Sequence, residues 1–174
     1  MMSSIPLIAG QVYHFKKIPN HRKLYSELRI FPTPFKGIYY APYETERNSW
    51  CVTGPLKVIF MACHYYLGSD DYYYGLDTAL YYLHIKWQCP EIHVMNPAIS
   101  RRISKKLPSQ NYWRGKTVGK IMQCYPQTIQ FHRMAGFSLK GVIRSGQVSY
   151  SNEKKTRADA DYLGTSVDAN PYPI

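Results

Sequence analysis

The side chains most able to do chemistry in this sequence are cations that no carboxylate accompanies. All 11 acidic residues lie at or before Glu91 or at or after Glu153, so residues 92–152 contain no Asp or Glu. The same stretch holds Arg101, Arg102, Lys105, Lys106, Arg114, Lys116, Lys120, Arg133, Lys140 and Arg144. A solvated surface normally mixes both signs, because neighbouring like charges repel. A one-sign stretch therefore points to a surface that attracts polyanions and gains affinity by releasing their counterions. Within it, Arg101-Arg102-Ile103-Ser104-Lys105-Lys106 sets two basic pairs three to four residues apart, and on a helix these would share a face. Tyr112-Trp113-Arg114-Gly115-Lys116 interleaves rings with cations, the mix that neutralises a sugar–phosphate backbone and stacks on bases. Arg101, Arg102, Lys105, Lys106, Arg114, Lys116 and Lys120, with Arg22 and Lys23 near the N-terminus, form the expected nucleic-acid-binding set. The expected partner is DNA or RNA, and the net charge of +11 agrees in sign.

Catalytic patterns are weaker. Asp70-Asp71 is a paired acid in a Gly-Ser turn, where a solvated turn explains it. Glu153-x-Lys155 has the carboxylate-x-lysine spacing of metal-dependent nucleases, but that chemistry needs the pair on a strand with a further acid upstream. Here the upstream stretch is acid-free. Gly37-Ile38-Tyr39 is half of a GIY-YIG signature whose second half is missing. No phosphate-binding Gly-rich loop and no nucleophile elbow occur. His84, Cys89 and His93 match no zinc spacing, and the four cysteines form no C-x-x-C pair. The expectation is a non-enzyme with no catalytic residue, cofactor or metal. Met1–Gly10 lacks the basic start and long apolar run of a secretory leader. No apolar stretch reaches the ~18–20 residues that span a bilayer. A cytoplasmic protein with no membrane partner is expected, its scattered cysteines reduced.

The elements that would position these residues follow from period and punctuation. A strand is predicted around Gln11–Lys16. Asn20 is placed to cap a helix over His21–Ile30, which Pro32 and Pro34 stop. Lys36-Gly37-Ile38-Tyr39-Tyr40-Ala41-Pro42 is β-rich and wing-like. Pro55 suits a first helical position and Gly68 a C-cap, with Leu56, Ile59, Phe60, Cys63 and Leu67 striped between them. A second helix is predicted from Gly75 to about Lys86. Strands are predicted at Ile92–Val94, Val118–Gln123, Thr128–Arg133, Phe137–Arg144 and Gln147–Tyr150, with Ser145-Gly146 as a turn. Asn152 is placed to cap a last helix over Glu153–Leu163. The 17 tyrosines are read mostly as half-exposed packing. The expected fold class is α+β: a mixed or antiparallel sheet with about three packed helices, preceded by a wing-like helix–hairpin segment. The expected organisation is a wing-like segment over 1–45, an α+β domain over 46–164 and a tail over 165–174.

The order of these elements resembles the AbiEi-type antitoxin and transcriptional-regulator family of type IV toxin–antitoxin systems. Lys36–Pro42 is similar to the family's wing. Tyr73-Tyr74-Gly75-Leu76-Asp77-Thr78-Ala79-Leu80-Tyr81-Tyr82 resembles its Tyr-Tyr…Ser-Ala-Leu helix, with His84 where the family has Gly. Ile92-His93-Val94-Met95-Asn96-Pro97 is similar to the following strand and basic loop. Val148-Ser149-Tyr150-Ser151 with Lys155-Thr156-Arg157-Ala158-Asp159 resembles its strand-to-helix element. The likeness runs in order over about residues 36–163, with a truncated winged-helix part ahead of it. It implies a DNA-binding transcriptional regulator or antitoxin with a cognate toxin as partner. The alternatives are a protein-interaction module without its DNA reader and a metal-dependent nuclease. The last helix is expected to pack Ala158 and Tyr162 on the sheet and to pair Lys155 with Asp159.

Overall fold

The computed structural model describes residues 6–47, 52–104 and 117–167. They form an α+β fold with two sheets, one of three strands and one mixed sheet of six. The chain divides into two compact units. One comprises the described residues up to Gly68 together with residues 117–125, and the other comprises residues 69–104 and 126–167.

In the first unit the centre of the sheet is β3 (Ile38–Tyr40), with β1 (Val12–His14) and β2 (Phe31–Pro32) antiparallel on either side. Alternation explains the packing. Ile38 and Tyr40 are buried beside Val12 and Phe31, while Tyr39 points the other way. On Tyr39 lie the rings of His21 and Tyr25 from the short helix α1 (His21–Ser26). Asn20 precedes α1 in a left-handed conformation and caps it with no side-chain bond, and the helix stops at Ser26, short of the expected Ile30. The one-turn helix α2 (Glu44–Arg47) is held by the buried Glu46, which accepts hydrogen bonds from Tyr40 Oη at 2.7 Å and from the Tyr43 and Thr53 amides. The long helix α3 (Pro55–Leu67) begins on Pro55 and ends on a left-handed Gly68 as predicted; of the expected stripe Ile59, Phe60 and Cys63 are buried, joined by Val58 and Ala62, while Leu56 and Leu67 are half-buried.

In the second unit the strand order is β6-β7-β5-β4-β9-β8: β4 (Tyr73–Tyr74), β5 (Glu91–Asn96), β6 (Arg101–Ser104), β7 (Thr128–Arg133), β8 (Val142–Ser145) and β9 (Val148–Ser151). β5–β7 and β4–β9 are parallel, and the other neighbours are antiparallel. Tyr73 and Tyr74 project to opposite faces of β4. Tyr74 meets a ring stack formed by Tyr82 of α4 (Leu76–Tyr82) and Tyr150. Tyr73 donates to Asp159 at 2.8 Å from the last helix, Glu153–Leu163.

Four further expectations need correction. Residues 118–123 form not a strand but a helix, α5 (Thr117–Gln123). Val118, Ile121, Met122 and Tyr125 also recur at steps of three and four, and burial of Ile121 and Tyr125, four apart, fits the helix. The strand expected over 137–144 is only Val142–Ser145, because Gly141 at φ 82° turns the chain just before it. Helix α4 ends at Tyr82 rather than Lys86. The last helix, α6 (Glu153–Leu163), turns Thr156, Asp159 and Ala160 inward and leaves Ala158 and Tyr162 exposed. Asp159 takes Tyr73 as its partner, and Lys155 extends its ammonium over the Tyr73 ring at 5.1 Å. The N-cap is as expected: Asn152 accepts from the Lys155 amide at 2.8 Å.

Candidate nucleic-acid interface

The edge strand β6 carries Arg101 and Arg102. A strand sends successive side chains to opposite faces, so these arginines do not share a face as they would on a helix. Both are exposed. Arg101 pairs in register with Phe131 of β7, and Arg133 lies two residues further along β7 on the same face. Arg102 pairs with Gln130, which pairs with His93 of β5, so these three form a row across the other face. Arg102 reaches Glu91 at 3.3 Å in a bridge open to solvent, its own side chain 61% exposed. Such a bridge contributes little and leaves the guanidinium available to a phosphate.

On the same face as Arg102, His93 and His132 stack at 5.2 Å between ring centroids, and His93 Nδ1 lies 2.9 Å from His132 Nε2. One imidazole must donate and the other accept, so this bond requires at least one neutral ring. Burial holds His93 below the ordinary histidine range; Asp77 opposes the shift, and Arg102 and Lys86 add to it. Burial and then the neighbouring His93 push His132 down to about 4, against a small opposing effect of Glu91. Both shifts favour uncharged rings at neutral pH, so the positive charge near the pair comes from Arg102 and Lys86 rather than from the imidazoles. The sequence signal for the pair was alternation: His93 sits between the buried Ile92 and Val94, and His132 follows the buried Phe131 at the end of its strand.

The other expected site residues are placed as follows. Lys120 is exposed on α5, and Arg22 and Lys23 are exposed on α1, all in the first unit. Lys23 makes an open contact of 3.9 Å with Glu27. Lys105, Lys106, Arg114 and Lys116, with the Tyr112-Trp113 pair, lie outside the described residues. Arg133, Lys140 and Arg144 belong to the same acid-free stretch and are exposed too. Among the described residues no three His, Cys, Asp or Glu side chains gather as a metal site. His84 sits exposed at the end of α4, while Cys89 is turned onto Thr78 and the Glu91 carbonyl. Among the described residues no helix is long and apolar enough to cross a membrane. Glu153 is bridged to Arg157 at 2.9 Å on an exposed helix face, and Lys155 lies on that helix, not on a strand.

Compared with protein-family models, with curated proteins and with solved structures, the chain matches none of them.

Proposed function

We propose that this chain binds nucleic acid, DNA in the first instance, as a transcriptional regulator or antitoxin-like protein without a catalytic step of its own. One observation carries the reading. Every described cation of residues 92–152 is exposed: Arg101, Arg102, Lys120, Arg133, Lys140 and Arg144. That stretch contains no acid to neutralise them. Exposed cations, one of them (Arg102) in only an open bridge to Glu91, are positioned for phosphates, whose contacts supply most of the non-specific affinity for DNA.

Arg101 and Arg133 on one face of the six-stranded sheet's β6 edge, with Arg102 on the opposite face, offer that edge as the docking surface in the second unit. Arg22 and Lys23 on α1 offer a second basic site in the first. The regulator or antitoxin role and the cognate toxin rest on the resemblance over residues 36–163. The surface itself speaks only for a polyanion, so binding is expected to be weakly sequence-selective. The test is a titration of short duplexes by fluorescence anisotropy with the wild type and with Arg101→Glu/Arg133→Glu. The double variant should bind at least tenfold more weakly at low salt, for any duplex sequence, with its fold retained. Equal affinity of the two proteins would refute the assignment of this surface.

A further inference from the structure

A pocket of about 370 Å³ opens in the first unit, near the lower end of the size range of small-molecule sites. Among the described residues it is lined by apolar side chains, Leu7, Leu24 and Pro42 among them, and by two arginines, Arg29 and Arg47. Neither arginine side chain makes an ion pair or hydrogen bond with a described residue, and no acidic side chain lines the pocket among the described residues. We infer that this pocket binds a small amphipathic organic acid, with its apolar body against Leu7, Leu24 and Pro42 and its anionic head between Arg29 and Arg47.

The local structure places both arginines. Helix α1 closes with Leu28 in the left-handed region at φ 56°, the Leu28 amide bonding to the Tyr25 carbonyl and the Arg29 amide to the Leu24 carbonyl. These two bonds are those of a Schellman stop, and they fix Arg29 beside Leu24. Arg47 ends α2, which the buried Glu46 anchors. The apolar wall is pinned across the sheet: Gly10 donates to the Ala41 carbonyl at 2.7 Å and the Ala41 amide to the Gln11 carbonyl at 2.9 Å. Gly10 has φ 86°, and the Tyr43 ring occupies the space a Cβ would need there. The chain thereby reverses and lays Pro6–Ala9 along the rim.

Arg29 and Arg47 are both exposed and line one pocket with no acidic described residue beside them. A carboxylate or phosphate supplies the missing counter-charge and offers each of them charge-assisted hydrogen bonds. The apolar walls add affinity for a ligand with a hydrocarbon body and none for a bare inorganic anion. This site is separate from the basic sheet edge and does not depend on nucleic-acid binding.

The probe is 4-phenylbutyrate, with its neutral amide and inorganic phosphate as comparisons, titrated into the full chain by calorimetry and by amide-shift mapping. Phenylbutyrate should bind in roughly the 0.1–1 mM range, as expected for about a dozen heavy atoms, and should shift Leu7, Leu24 and Ala41. The amide and phosphate should each bind at least tenfold more weakly. Arg29→Gln/Arg47→Gln should lose at least tenfold, and Arg29→Lys/Arg47→Lys should recover part of the loss with an unchanged amide spectrum. Equal binding of acid and amide would overturn the anionic head, and equal binding of phosphate would overturn the apolar body. Undiminished binding by the glutamine variant, or shifts confined elsewhere, would overturn the site. Duplex affinity, measured in parallel without the probe, reports on the nucleic-acid reading independently.

Discussion

At the scale of single residues, two histidines carry the clearest pH dependence. An unfolded histidine titrates near 6.5, whereas His132 in the fold is pushed down to about 4. Between those values the unfolded chain binds more protons than the folded one, so stability falls as the pH falls through that window and is unaffected above it. The ring is partly solvated, so the loss attributed to it is about 1–2 kcal/mol. Urea melts at pH 7.5 and 4.5 should show it, and His132→Gln should shrink the difference. A second prediction concerns Tyr73, whose hydroxyl donates to the buried Asp159. Tyr73→Phe should cost about 1–3 kcal/mol in the same melts, because it removes the donor of a buried carboxylate. A third concerns His84, in the left-handed region at φ 60°, whose amide bonds to Tyr81 and whose successor Ile85 bonds to Leu80. That is a helix stop in the left-handed conformation glycine favours. His84→Gly should therefore stabilise the protein by roughly 0.5–1 kcal/mol, since glycine adopts this backbone without strain.

At the scale of elements, the helices with strong punctuation were legible. Gly54-Pro55 and Gly68 bound α3, and Asn152 opens α6, because these caps act locally on the groups that helix ends leave unpaired. Asn152→Ala should accordingly cost about 1 kcal/mol, measured by thermal or chemical melts. Strands with clean alternation, such as Thr128–Arg133, were legible for the same local reason. What failed depended on packing. The run at 118–123 fits either period, and burial of Ile121 decided for a helix. The face of α6 was misread because an acid, Asp159, turns inward to a tyrosine 86 residues away, a pairing no local pattern announces. The basic residues of the candidate interface were visible in composition. That Arg101 and Arg102 stand on a strand and part to opposite faces was not, because a polar four-residue edge strand has no hydrophobic period to display it.

At the scale of the whole molecule, charge distribution carries the account. The acid-free stretch supplies exposed cations to both units, on β6, β7 and β8 in one and on α5 in the other. An edge strand rich in arginine also resists pairing with another sheet edge. That role needs no polyanion, so only binding separates the two. The most direct measurement is the salt dependence of affinity for a duplex of arbitrary sequence. With several phosphate contacts, log Kd should change linearly with log salt at a slope of about 0.9 for each phosphate neutralised. Affinity should thus fall by orders of magnitude between about 50 and 200 mM salt. Undetectable binding at low salt, or tight binding indifferent to salt, would contradict the account.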